Sequence, residues 1–386
     1  MFNNIEIAFK DKSDADLNRA YILFKTISNP IISNILTALM KVAMWLHLPI
    51  NGIIKSTVYK HFCGGTDIIN SQATIDKLWK SNIGTILDFS AEGKESETDF
   101  NRAMNETIES IKKANKEISI PFSVFKPTGL ARFSLLEKIN NKQTLTKEEL
   151  IEKEKFEKRI ETICRISSEK KVPVFIDAEE SWIQDAIDEI AVRMMKKFNK
   201  KEAWIFNTLQ LYRHDKLTEI EILVKKAKRE GFFLGIKLVR GAYHEKEIKR
   251  ALQKGYVCPV YLLKEETDKD YNKALTLCIK NLDIISLCAG THNEESSKLL
   301  TELLKKYHIE RDDKRVYFSQ LLGMSDNISY NAAKEGFNVA KYVPYGPVKD
   351  VLPYLIRRAE ENTSISGQMG RELKNIIEEK KRRKNN

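Results

Sequence analysis

The stretch FFLGIKLVRGAY, residues 232–243, runs apolar through Val239 except for Gly235 and Lys237, then breaks at Arg240-Gly241. A run so short, rich in Phe, Ile and Val and without polar alternation, suits a strand buried on both faces, which is the condition of parallel sheets. Gly231 stands just before it and just after the charged run ending Arg229-Glu230, where a glycine C-cap closes a helix. The segment therefore reads as helix, glycine stop, buried strand and polar loop.

Seven more runs of this kind recur outward from it. They are Thr85–Phe89, Ser119–Phe125, Val172–Ile176, Trp204–Leu209, Ile284–Ala289, Arg315–Phe318 and Asn338–Tyr342. Charged, helix-periodic segments alternate with them: Glu97–Lys116, Lys147–Lys170, Ser181–Phe198, Lys216–Arg229, Thr267–Ile279, Glu294–Tyr307 and Pro347–Asn362. Thr146 with Glu149 three residues on forms a capping box. Eight βα units predict an α/β fold, a distorted (βα)8 TIM-like barrel over 81–365. A doubly wound sheet competes, but no strand is followed by GxGxxG or GxxxxGK[ST]. Residues 1–80 read as a helical region packed on the barrel, with a turn at FCGG, 62–65, and 366–386 as a C-terminal helix with a basic tail. The apolar stretch Ile31–Leu46 carries Asn34 and Lys41 and is shorter than the ~20 residues a membrane span needs, so it reads as an amphipathic helix.

Composition bounds the function. With 42% hydrophobic and 31% charged residues the 386-residue chain is globular, and 16 glycines and 9 prolines exclude a collagen-like or linker-dominated chain. The +11 net charge admits either a lysine-rich solvated surface or an anionic partner, while the run KKRRK, 380–384, could touch phospholipid headgroups. Five cysteines without CxxC spacing argue against disulfides and thiolate zinc and fit a reducing cytoplasm. Six histidines without HExxH give no metal signature. The N-terminus lacks the order of a signal peptide, so a cytoplasmic location is expected, with contact to the inner membrane face open.

In such a barrel the chemistry sits at the C-terminal strand ends. There the sequence places Asp88 and Glu92, Lys126, Asp177 and Glu179, Gln210 and Arg213, Lys237 and Arg240, Thr291-His292-Asn293, Gln320 and Tyr342. Plain structural roles compete: Asp177 could cap a helix, Gln210 and His292 could be satisfied structural groups, and Arg357-Arg358 could be solvated. Against these, Lys126 follows an apolar strand and needs a partner or ligand, and Gly241-Ala242 allows close backbone approach by a phosphate-bearing cofactor. Arginine suits a two-pronged grip on carboxylate, and Tyr354 lies one helical turn before Arg357 and Arg358.

Eight motifs in order resemble the proline dehydrogenase family, specifically its stand-alone members: LDFSAEG (87–93), FKPTGL (125–130), IDAEE (176–180), LQLYR (209–213), KLVRGAY (237–243), AGTHN (289–293), FSQLLGM (318–324) and YLIRRAEEN (354–362). The resemblance implies a barrel holding FAD at the strand ends without a Rossmann domain, and hydride transfer from C5 of L-proline to flavin N5. It implies that Arg357, Arg358 and Lys126 bind the substrate carboxylate, that Asp177 organises those cations, and that Tyr342, Tyr354 and Leu321 wall the ring. Gln210 and Lys237 are implied beside the flavin ring, with Arg240, Gly241, Ala242, Tyr243, Thr267, Thr291, His292, Asn293 and Glu361 toward the rest of FAD. It further implies a quinone acceptor and a separate dehydrogenase for the product pyrroline-5-carboxylate. Many relatives carry arginine where this chain has Lys237, which leaves proline against hydroxyproline or another cyclic amino acid open.

Two rivals differ in kind. A Schiff-base aldolase barrel would use Lys126 or Lys237 as nucleophile. A basic nucleic-acid-binding protein would account for the charge, yet no recognised module or aromatic-basic repeat is present.

Overall fold

In the computed structural model, residues 1–29, 51–90, 95–364 and 368–385 are described, without the side chains of 51, 53 and 357–369. The expected helix at 31–46 and the candidate Glu92 lie outside the described residues.

Eight parallel strands close into a barrel in sequence order: β1 (Ile83–Phe89), β2 (Phe122–Phe125), β3 (Val174–Ile176), β4 (Ile205–Gln210), β5 (Leu234–Val239), β6 (Ile285–Gly290), β7 (Val316–Leu321) and β8 (Val339–Tyr345). The closing seam pairs β1 with β8 from Ile83↔Val339 to Phe89↔Tyr345. Period-two alternation sorts the side chains. Phe122, Val124, Phe175, Phe206, Cys288, Ala340 and Tyr342 form an interior cluster, while Leu87, Val174, Ile205, Leu234 and Val339 join the larger core under the helices. Aromatic rings fill the interior: Phe122 lies 4.5 Å from Phe175 and 4.8 Å from Tyr317, centroid to centroid. Burying each such ring is worth about 2–3 kcal/mol.

The helices follow their local signals. Helix Lys147–Lys170 starts on the full Thr146–Glu149 capping box. Helix Lys216–Glu230 stops at Gly231, whose φ of 67° is cheap only for glycine. Helix Asp326–Lys334, between β7 and β8, is absent from the sequence-based expectation: it is only nine residues long, and its polar side chains Asp326, Asn327, Ser329 and Asn331 are buried and so do not mark a solvent face.

The helix after β8, Val348–Ser364, packs on helices Asp14–Ile27 and Gln368–Asn385 and on the turn Lys55–Tyr59. Its Val351, Leu352, Tyr354 and Leu355 form a second apolar cluster with Phe24, Phe62 and Met324. Leu321, at the end of β7, packs against both this cluster and the barrel interior, which sets the helix at the C-terminal mouth. This is the distortion of the barrel. The basic tail belongs to helix Gln368–Asn385, where Arg383 pairs with Asp14 at 2.8 Å and Arg382 with Glu379 at 2.8 Å.

Candidate active site at the barrel mouth

Period two aims Asp177, just past β3, Lys237, within β5, and Tyr342, in the middle of β8, toward the barrel interior. Lys237 donates to Asp177 and to the Tyr342 hydroxyl, and Tyr342 donates to Asp177 Oδ1 at 3.1 Å. The Lys237 ammonium also lies 4.4 Å from the Tyr342 ring centroid and 5.2 Å from that of Phe175. Burial, reinforced by the charge of Asp177, pushes the Tyr342 phenol well above its usual range, so it stays a donor. Lys126, expected to be organised by Asp177, pairs with it at 3.9 Å and is held more closely by both oxygens of Asp88 at 3.0 Å. Asp88 stands at a strand end in the sequence but was given no role there; the need of a buried lysine for an acid was the available signal. Glu179 accepts from the Thr128 amide at 2.8 Å and the Thr128 hydroxyl at 2.6 Å, tying the β2 and β3 loops together around Lys126. Asp177 caps no helix: the N-cap of Ser181–Phe198 is Glu180.

A second group lines the ends of β4 to β6. Gln210 donates to the Glu179 carbonyl at 2.7 Å and accepts from the Ala242 amide at 3.3 Å, fixing the turn that contains Gly241 and Tyr243. Gly241 has φ of 140°, and a Cβ there would come within 2.5 Å of the Tyr212 ring, so only glycine fits. Arg240 bonds Asp268 at 2.6 Å, Thr291 at 2.5 Å and Ser296 at 2.9 Å, and stacks 4.4 Å from the Tyr271 centroid. Asp268 is the acid that sequence reasoning missed, next to the expected and buried Thr267. Burial works against its charge, but Lys264 and Arg240 outweigh burial and hold its pKa below the usual value. The Thr291 hydroxyl accepts from the Asn293 amide at 3.0 Å, Asn293 caps helix Glu294–Lys306, and His292 Nδ1 meets the Ser325 hydroxyl at 2.9 Å.

Tyr354 is buried in the apolar cluster of the helix after β8, and Leu321 packs against that cluster. Arg357, Arg358 and Glu361 lie on the same helix as Tyr354, but their side chains are outside the described residues.

The sequence profile of the proline dehydrogenase family matches residues 71–371. The chain belongs to the proline dehydrogenase family. It is 34% identical to the carbapenem antibiotics biosynthesis protein CarD of Pectobacterium carotovorum over 86% of each chain. It is 31% identical to proline dehydrogenase 1, mitochondrial, of Dictyostelium discoideum, over 97% of this chain and 74% of that one. Among solved structures, proline utilization A from Bdellovibrio bacteriovorus, inactivated by N-propargylglycine, superposes with a TM-score of 0.73 at 20% identity, and the likeness is one of fold. It covers 96% of this chain and 41% of that protein.

The family implies a flavin, and the donor set fits one. Arg240 spends three of its five N–H groups on Asp268, Thr291 and Ser296, which leaves donors for a phosphate. Gln210, Lys237 and residues 291–293 stand with Arg240 on or just past the neighbouring strands β4, β5 and β6, and add further polar donors beside it.

Proposed function

We propose that this chain is an FAD-dependent proline dehydrogenase, oxidising L-proline to Δ1-pyrroline-5-carboxylate in the first step of proline breakdown. The observation that carries the reading is the bonded group Asp88–Lys126 and Asp177–Lys237–Tyr342 at the mouth of a barrel of this family. Its two acids and two lysines cancel in charge. An anionic substrate carboxylate therefore needs further positive charge, which this reading assigns to Arg357 and Arg358.

In this reading the catalytic barrel spans 81–365. Lys126 joins the arginines in holding the carboxylate, Asp88 and Asp177 keep the lysines in place, and Tyr342, Tyr354 and Leu321 enclose the ring and exclude water. Gln210, Lys237, Arg240, Gly241, Ala242, Tyr243, Thr267, Thr291, His292, Asn293 and Glu361 hold FAD. Bound FAD supplies the two-electron acceptor for the C–H bond beside the substrate nitrogen. Lys237 presents a cation at that site, and the substrate amine must lose a proton for the bond to open.

The Schiff-base alternative fares poorly, since Lys126 and Lys237 are both salt-bridged, whereas an imine-forming lysine needs a free amine. A quinone is the acceptor we favour, with a separate dehydrogenase consuming the product. Among the described residues no helix is long and apolar enough to cross a membrane, and we favour peripheral contact with a quinone pool. The purified protein, loaded with FAD, is to be given L-proline and a dye acceptor while the pyrroline is trapped with o-aminobenzaldehyde. Dye reduction together with the yellow adduct is expected. Turnover of hydroxyproline alone would move the substrate, and no turnover of either would overturn the reading.

A further inference from the structure

The C-terminal helix Gln368–Asn385 carries a carboxylate into the core. Glu372 is 6% exposed, and its Oε1 accepts the Ser325 backbone N–H at 2.6 Å. Ser325 has φ of 50°, a conformation that a serine holds only when its surroundings fix it. It occupies the N-cap position of helix Asp326–Lys334, yet its hydroxyl caps nothing there. That hydroxyl meets His292 Nδ1 instead, at 2.9 Å. His292 directly follows Thr291, the hydroxyl that holds Arg240.

Carboxylate, amide, hydroxyl and imidazole thus form one chain from the C-terminal helix to the end of β6. A buried backbone N–H must be bonded, and the loop 322–325 turns here through Gly323, with φ of 78°. Removing the acceptor frees Ser325 to leave its strained conformation and moves the hydroxyl that bonds His292. Two polar neighbours are already engaged: Asp326 by Lys341 at 2.6 Å and Lys12 at 3.2 Å, and His61 by the Gly323 carbonyl at 2.9 Å.

We propose that Glu372 is a positioning residue for cofactor binding: by fixing Ser325 it sets the His292 ring, and it couples docking of helix 368–385 to FAD affinity. This rests on the reading that His292 touches FAD.

The test compares full-length wild type with Glu372→Ala, Glu372→Gln and Ser325→Gly, measuring the FAD Kd and the ring 15N shift of His292, assigned with His292→Asn. Glutamine keeps an oxygen acceptor for the amide. Glycine keeps the positive φ and the amide but deletes the hydroxyl, so the C-terminal helix stays docked even if alanine at 372 releases it. The expected result is an FAD Kd raised about tenfold in Glu372→Ala and Ser325→Gly and within about threefold of wild type in Glu372→Gln. The His292 shift moves in the first two and not in the third. An unchanged Kd in Ser325→Gly, or a His292 shift unmoved by Glu372→Ala, overturns the proposal. A wild type that takes up no FAD sinks the cofactor reading by itself, and the His292 shifts still decide whether Glu372 sets the ring.

Discussion

The Tyr342 hydroxyl on β8 donates to Asp177 at the end of β3, 3.1 Å away, although no backbone ladder joins those strands. Lys237 on β5 donates to both. Side chains therefore tie three separate strands together inside the barrel, in a buried setting where each bond counts for more than it would in water.

Tyr342→Phe keeps the ring and deletes this tie. The expected loss in kcat/KM is about tenfold, with folding intact, read by steady-state kinetics on L-proline. An unchanged kcat/KM would remove the hydroxyl from the site.

Lys237→Met leaves Asp177 buried with Lys126 3.9 Å away as its remaining cation. A loss of about 3 kcal/mol is expected in denaturant unfolding, because a buried carboxylate loses its bonded partner. Lys237→Arg keeps the charge and is expected to hold most of that stability.

Gly241→Ala forces a Cβ against the Tyr212 ring. The turn must then shift, and FAD occupancy after purification is expected to fall several-fold while the barrel's circular dichroism is retained. Full occupancy would show that the turn is not part of the cofactor cradle.

Two buried groups behind the mouth oppose each other in pH dependence. Burial, then the charge of Asp326, pushes Glu372 up to about 7, so its contribution to stability is lost as pH rises from 4.5 to 7. Burial, then Lys12, pulls His61 down to about 4, so its contribution is lost as pH falls from 6.5 to 4. Their slopes nearly cancel in wild type. Glu372→Gln uncovers the His61 slope, and unfolding stability is expected to climb between pH 5 and 6.5 by roughly 2 kcal/mol. Equal slopes in the two proteins would contradict this.

The fold was legible because burial on both faces leaves an unbroken apolar run at each strand and because caps mark the helix ends. Helix Lys147–Lys170 matches its expected bounds through Thr146 and Glu149. Helix Asp326–Lys334 was not legible, since it is short and its polar residues Asp326, Asn327, Ser329 and Asn331 are buried alongside its apolar ones. At the site, residue types at the strand ends were readable but their pairing was not. Lys126 is held more closely by Asp88 than by Asp177, and Lys237 finds Tyr342 across 105 positions of sequence, a match that only barrel closure sets. Asp268 was hidden because it lies on a helix that returns over β5 and β6, away from any strand end.

The most direct test is the visible spectrum of the purified, FAD-reconstituted protein, taken without air before and after L-proline is added. The account predicts flavin bands that bleach on addition of L-proline. A protein that takes up no flavin, or bands that stay unchanged with L-proline and with every other cyclic amino acid tried, would contradict it.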